Sequence, residues 1–256
     1  MKYLICCTLL VLICGQAHTQ SDRLTVNLGL GTGLQVAERD GGPTAAVEVN
    51  YRVGKVGRLA YGIGAGYLYQ RVTVRDGEME LILLNPLIDG LFDNDQVSTV
   101  YQLNQSVVYV APFLRLATGR FQHMVSVQPS YLIDANIDAM TYRKNGQGKP
   151  VGPPLAEATA ELRERVFDTA TSDNYRQFDL HHRFFTTVAL SSQYALSPRF
   201  AIGLELRSLF NPLVLRVDRG LACGGTNRCI NSGLPYIRRE AAASVPILLL
   251  TAAYQL

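Results

Sequence analysis

Two side chains have the types used in general-base chemistry, and an arginine follows them at the same spacing. Asp179, His181 and Arg183 alternate along the sequence, and alternate residues of a β-strand lie on one face. An Asp–His couple on that face could accept a proton from a substrate. No motif places a serine or cysteine nucleophile beside it. We therefore expect no enzymatic activity and no catalytic residue, and a rim-located enzyme is the least favoured alternative.

The histidines do not form a metal site in this reading. His181 and His182 are adjacent, so on a strand their rings point to opposite faces and cannot bind one metal together. The sequence also has no phosphate-binding loop, no zinc-ligand spacing and no nucleic-acid signature. It predicts no cofactor, no metal and no nucleic-acid partner.

The first residues have the form of a secretory signal. Lys2 precedes the apolar run Tyr3–Cys14, which is too short to span a bilayer. Gly15-Gln16-Ala17 then gives a small-x-small cleavage pattern. We expect cleavage after Ala17, or as late as Thr19, so that residues 21–256 form the exported domain.

Two cysteines lie in the exported part, at Cys223 and Cys229. Exported proteins oxidise such pairs, and no further cysteine or histidine nearby favours a metal site. The spacing predicts a disulfide at the tip of a polar loop.

Eight segments alternate apolar residues with small or polar ones. They cover residues 24–31, 45–52, 59–67, 108–116, 121–131, 183–194, 200–207 and 248–256. The connections at 54–57, 118–120 and 197–199 are short, and those at 76–98, 141–177 and 218–235 are long and polar. Even strand number, ten-residue alternation and alternating loop length are typical of a transmembrane barrel. We predict an all-β, eight-stranded, antiparallel up-and-down transmembrane β-barrel with long extracellular loops. Within the longest loop, Pro153–Asp168 could be a short helix or disordered.

The residue types indicate which face of each strand is outside. The polar face is rich in Gly, Ala and Ser, as in a crowded interior, whereas a water-facing surface would carry lysine and glutamate. Aromatic residues on the apolar face cluster beside the short turns, which predicts an interfacial girdle. Its predicted members are Tyr51, Tyr61, Phe121, Tyr194, Phe200 and Tyr254. An opposite girdle would comprise Tyr67, Tyr69, Tyr131 and Phe178. The short-turn side, which holds both termini, is then periplasmic.

The inward face also carries charges. They are Glu48, Arg52, Arg115, Arg183, Glu205 and Arg207. Charges inside a small barrel must be paired, because an unpaired buried charge costs several kcal/mol. An eight-stranded barrel has room only for side chains, so we expect a Glu–Arg network that plugs the interior. The alternative is a charged lining for a narrow path.

Local phrases of the sequence resemble the PorT-like outer-membrane β-barrel family of the Bacteroidota. The segment Val108–Leu116 resembles that family's strand with a central proline before a leucine run. Pro129-Ser130-Tyr131-Leu132 and Leu204-Glu205-Leu206-Arg207 are also similar. The resemblance covers Leu24 to Leu256 and implies an outer-membrane porin-family barrel. Such barrels often finish on an aromatic residue, whereas this chain finishes on Leu256.

The sequence therefore predicts a non-enzymatic, monomeric, integral protein of the outer membrane. Its expected role is in the cell envelope: structure, surface-loop binding or support of protein secretion. Its expected partners are outer-membrane lipid and envelope or secretion-system proteins. A narrow, porin-like channel for small solutes is the alternative function.

Overall fold

The computed structural model is all-β. It describes residues 23–36, 40–75, 80–83, 97–145, 150–161, 165–167, 174–180, 182–209, 214–221, 236–242 and 245–256. The predicted signal sequence, His181, Cys223 and Cys229 lie outside these residues. Within them, no helix is long and apolar enough to cross a membrane.

Eight strands build a barrel wall. They are β1 (Leu24–Gly33), β2 (Asp40–Val56), β3 (Leu59–Arg75), β5 (Val97–Thr118), β6 (Phe121–Lys144), β10 (Phe184–Ala195), β11 (Phe200–Leu209) and β14 (Ile247–Gln255). Six further strands lie at the far end from the short turns. They are β4 (Glu80–Leu83), β7 (Pro150–Glu161), β8 (Arg165–Phe167), β9 (Asn174–Leu180), β12 (Val214–Leu221) and β13 (Tyr236–Ala242).

The wall closes on itself. Its order is β1-β2-β3-β5-β6-β10-β11-β14, and every neighbouring pair is antiparallel. The β1–β14 pair completes the circle, with Thr25 opposite Gln255 and Gly33 opposite Ile247. Closure leaves the ring without a free edge along the paired stretch, as a lipid-facing sheet requires. The predicted eight-stranded antiparallel barrel is confirmed.

The alternation of side chains decides inside from outside. On β1, Leu28 and Leu30 are 56% and 70% exposed, while Asn27 between them is 7% exposed. A soluble barrel would bury the leucines and expose the asparagine. The apolar side chains face outward here, which is the arrangement of a barrel surrounded by lipid.

The predicted long loops are partly strand. β5 and β6 have 22 and 24 residues, about twice the 9–11 that cross a bilayer. β7 continues the sheet on the free edge of β6, and a second sheet has the order β4-β13-β12-β9-β8. The helix considered for Pro153–Asp168 is wrong where the structure describes that segment. Cross-strand hydrogen bonds to β6 outweigh the helix propensity of its Ala and Glu residues.

The interior changes character along the barrel axis. Polar residues fill it toward the short turns, and an apolar core fills it toward the far end. In that core the Tyr101 ring of β5 meets the Phe178 ring of β9 edge to face at 6.0 Å. The apolar core therefore joins the two sheets. The assignment of Phe178 to an outward girdle is wrong, because its side chain is fully buried in this core.

Candidate functional site

A buried ion-pair cluster is the centre of the polar interior. Glu205 and Arg207 occupy successive inward positions of β11, and Glu48 faces inward from β2. The Arg207 guanidinium donates through Nε to Glu205 Oε1 and lies 3.9 Å, from Nη2, from Glu48 Oε2. All three side chains are at most 4% exposed. One cation thus compensates two carboxylates, which the sequence grouped on the inward face without assigning partners.

Tyr109 of β5 completes the cluster. Arg207 Nη2 donates to the Tyr109 hydroxyl oxygen at 2.9 Å. The guanidinium carbon also lies 4.7 Å from the centre of the Tyr109 ring, within cation–π range. These contacts connect β11 to β5 across the interior.

Two amides hold the Glu48 carboxylate. Asn50, two residues along β2, donates to Glu48 Oε1 at 2.6 Å, and Asn27 of β1 donates to the same oxygen at 3.5 Å. Because Arg207 approaches the other oxygen, Glu48 is restrained from three strands. This arrangement is a structural crosslink of the interior rather than a set of groups presented to a substrate.

Glycines of β3 make room for the cluster. Gly66 lies opposite Tyr109, and Gly62 lies opposite Phe113. A Cβ atom at Gly66 would collide with the Tyr109 ring, and one at Gly62 would lie 2.6 Å from the Phe113 ring. Sequence reasoning missed Tyr109 as a member of the cluster. The signal that could have found it is the run of inward glycines on the neighbouring strand, which requires large side chains opposite.

The remaining predicted charges lie elsewhere in the barrel. Arg115 stacks over the Phe113 ring at 5.3 Å and lies within electrostatic range of Arg52 and Glu48. Arg183 precedes β10, where its carbonyl oxygen accepts from the Leu132 amide at 2.8 Å. The structure therefore does not bring Arg183 to the Arg207 cluster, which lies nearer the short-turn end of the barrel. Inward residues lie at several heights along the barrel axis, and the alternation of the sequence does not give the height of each residue.

The proposed general-base couple is described only in part. Asp179 lies on β9 opposite Arg216 of β12 in the strand register. His182 lies between β9 and β10, and His181 is outside the described residues. The expectation of no enzymatic activity stays a prediction, as does the disulfide.

The six girdle aromatics lie at the short-turn end and face outward. The rings of Phe121 and Tyr194 meet edge to face at 5.1 Å, and Phe200 lies opposite Tyr254 in the register. Tyr51 and Tyr61 are 36% and 44% exposed. These exposed rings form one band around the end of the wall.

A polar ladder crosses the outer face at the other end of the apolar surface. Asn104 Oδ1 of β5 accepts from Tyr69 Oη at 3.1 Å and from Arg71 Nε at 2.8 Å. Asn104 Nδ2 donates to Asp138 of β6 at 3.4 Å, and Thr159 of β7 donates to the same carboxylate at 2.9 Å. Among the predicted opposite girdle, Tyr131 is outward and 46% exposed, and Tyr69 joins this ladder. The ladder sets the upper border of the apolar surface.

Comparisons with known proteins return similar solved structures. No protein-family model and no curated protein matches the sequence. The outer membrane protein OprG from Pseudomonas aeruginosa is similar at 8% identity and a TM-score of 0.43, covering 92% of this chain and 96% of that one. Ail, the attachment invasion locus protein of Yersinia pestis, is similar at 8% identity and a TM-score of 0.34, with coverages of 91% and 97%. The Ralstonia pickettii toluene transporter TbuX gives 8% identity, a TM-score of 0.24 and coverages of 93% and 90%. At such values these proteins identify neither a family nor a ligand for this chain.

Proposed function

We propose that this chain is an integral outer-membrane protein whose barrel is closed by its own side chains and carries a folded extension outside the membrane. The extension comprises the far ends of β5 and β6, together with β7 and the second sheet β4-β13-β12-β9-β8. The function of the chain is then non-enzymatic: envelope structure, binding at the extension, or support of secretion. The observation that carries the proposal is the buried Arg207–Glu48–Glu205–Tyr109 cluster inside an apolar-faced barrel.

The dimensions of the apolar surface support membrane insertion. The stretch of β6 that pairs with β10 runs from Phe121 to Tyr131, and β10 runs beside it from Tyr194 back to Phe184. Ten residues at about 3.3 Å each, on a strand tilted by about 40°, span about 25 Å. That is the height of the lipid-facing band of outer-membrane barrels.

Alkaline carbonate extraction of membranes tests the location. We expect the chain to stay in the membrane pellet with outer-membrane markers. The outward apolar side chains of the closed wall have only lipid to cover them. A peripheral protein from the same envelope is the control and should be released. Release of this chain with that control would reject membrane insertion and favour a soluble barrel.

The plug is supported by the filling of the interior at two levels. The ion-pair cluster occupies the polar level. Above it, the inward side chains of Val72, Val74, Leu103 and Ile137 are fully buried. A solute crossing the barrel would have to displace both levels.

A narrow channel is the second candidate, and one observation favours it. Within the described residues, Arg207 Nη1, Glu48 Oε2, Asn27 Oδ1 and Asn50 Oδ1 have no hydrogen-bond partner. Buried polar atoms of this kind usually contact water. A chain of such waters would be the start of a solute path.

Planar-bilayer recording separates the plug from the channel. We expect no steady open state for the wild-type chain and openings in the double variant Arg207→Ala/Tyr109→Ala, which removes the crosslink. Arg143→Gln, an exposed position on the extension, is the control. Steady wild-type currents that change with Glu205→Gln would reject the plug.

The role in secretion or binding rests on the extension and on the PorT-like phrases of the sequence. Beyond the polar ladder, the extension is built from hydrogen-bonded strands. These are the far ends of β5 and β6, β7 beside them, and the strands of the second sheet. A crosslinking pull-down from intact envelopes tests this part. Recovery of secretion components would support that role, and recovery of lipid alone would leave envelope structure as the function.

A further inference from the structure

An arginine stands immediately before each of the four strands that rise from the short-turn end. Each is followed by an apolar residue of the strand: Arg23-Leu24, Arg58-Leu59, Arg120-Phe121 and Arg199-Phe200. Those strands are β1, β3, β6 and β11, so the four arginines are distributed around the whole ring. The arginines therefore occur all around the rim rather than on one side of the molecule.

The structure holds the four arginines in equivalent backbone positions. Each arginine carbonyl oxygen accepts a hydrogen bond from the amide of the next strand around the ring. The backbone amide of Arg52 donates to the Arg23 carbonyl oxygen at 2.8 Å, and that of Ala117 donates to Arg58 at 3.0 Å. The amides of Ala195 and Gln255 donate in the same way to Arg120 and Arg199, each at 2.8 Å. The backbone is thus fixed while all four side chains stay exposed. We call these four residues the arginine ring.

The arginine ring lies at the level of the aromatic girdle. Arg120 Nη1 donates to the Tyr194 hydroxyl oxygen at 3.3 Å, and Arg23 Nη1 donates to the Tyr51 hydroxyl oxygen at 3.5 Å. Girdle rings lie at the depth of lipid headgroups, so in an inserted barrel the guanidinium groups beside them would lie at the depth of the headgroup phosphates. A guanidinium fork matches phosphate oxygens in geometry as well as in charge.

The charged side chains that the structure describes at the rim are all positive. Lys55 adds a fifth exposed cation beside Arg58. In the part of the rim that the structure describes, no aspartate or glutamate side chain accompanies them. A single-sign ring attracts anions from every side of the barrel.

We propose that the arginine ring binds the phosphate groups of anionic phospholipids in the periplasmic leaflet. The inference rests on the proposed membrane insertion. A lipid fits better than a periplasmic protein or a glycan, because the ring surrounds the barrel where lipid surrounds it. The two guanidinium–tyrosine contacts place charge at the membrane edge rather than below it.

Native mass spectrometry of the folded full-length chain, released from bilayers with equal amounts of phosphatidylglycerol and phosphatidylcholine, tests the ring. We expect wild type to retain more phosphatidylglycerol than phosphatidylcholine. The ratio of the two retained lipids should rise about fivefold for each arginine that contacts a lipid phosphate. The variant with all four arginines changed to Gln should approach equal retention. The corresponding four-Lys variant should keep a preference for the anionic lipid, since charge is preserved.

A double variant keeps the test informative if the four-fold change does not fold. Arg58→Gln/Arg199→Gln removes two members from opposite sides of the ring and should lower the preference to an intermediate value. Arg75→Gln/Arg143→Gln removes the same charge from the far end and should leave it unchanged. Equal lipid retention by wild type, or an unchanged preference in the Gln variants, would overturn the proposal.

Flotation with phosphatidylcholine vesicles distinguishes this failure from failure of membrane insertion. A chain that floats with those vesicles but shows no headgroup preference is inserted and lacks a lipid-selective ring. A chain that does not float refutes insertion itself. Loss of a periplasmic protein crosslink in the Gln variant, without any lipid preference in wild type, would reject the lipid and identify the rim as a protein contact.

Discussion

Arg207 of β11 and Tyr109 of β5 are 98 positions apart in the chain, and a 2.9 Å hydrogen bond joins them across the barrel interior. The same guanidinium pairs with Glu205 and faces Glu48. Strands β2, β5 and β11 are therefore connected through one side chain. The cation is the element that allows two carboxylates to be buried side by side.

Replacing Arg207 by Met should strongly destabilise the barrel. The substitution keeps much of the volume but leaves Glu48 and Glu205 buried without the cation that contacts them both, which costs about 3–5 kcal/mol. Urea titration of the folded protein in lipid vesicles measures the free energy of unfolding. Adding Glu48→Gln and Glu205→Gln to Arg207→Met should recover most of the loss. A loss below about 1 kcal/mol for the single variant would show that the cluster is not required.

Gly66→Val tests the packing around Tyr109. A side chain at Gly66 would collide with the Tyr109 ring and approach the Val47 carbonyl oxygen at 2.8 Å. Overpacking of this kind costs about 1–3 kcal/mol, and we expect the same urea titration to show it. Ala65→Val on the outward face of β3 is the matched control and should be nearly neutral. Combining Gly66→Val with Tyr109→Ala should cost less than the sum of the two changes, and full additivity would contradict the contact.

Phe178→Ala should loosen the extension and leave the membrane wall folded. Phe178 is fully buried against Tyr101, and removing such a ring costs about 3–5 kcal/mol. Hydrogen exchange should rise in β9 and β12, which pair with each other, while β1 and β14 stay protected. Tyr131→Ala, on the lipid-facing side of β6, should leave the extension unchanged. Uniform exchange across the barrel would show that extension and wall unfold together.

Cys223 and Cys229 are predicted to form a disulfide at the surface of the cell. Only five residues separate them. The disulfide therefore stabilises the folded chain by less than a disulfide closing a 15-residue loop, which contributes about 3 kcal/mol. The barrel should therefore fold without it. Mass spectrometry of intact cells after an impermeant thiol reagent, with and without reduction, measures the bridge. Labelling of both thiols without reductant would refute it, and labelling only after rupture of the outer membrane would refute the orientation.

Some of the site was accessible from local patterns. A strand places alternate residues on opposite faces, so the sequence alone assigned Glu48, Glu205 and Arg207 to the inside and Tyr61 and Phe121 to the outside. The same rule identified the eight wall strands. Their exact lengths were underestimated, because the polar far ends of β5 and β6 no longer alternate against lipid.

Pairing across the interior was decided by tertiary structure. Arg183 and Arg207 both satisfy the inward pattern, yet only Arg207 reaches the carboxylates, because strand stagger and closure set the height of each residue in the barrel. Phe178 likewise fits the composition of a girdle, but the second sheet turns it into the apolar core. A local two-residue period was enough to predict the outward face of each wall strand. The closed register decided which buried charges meet, since their partners come from distant strands.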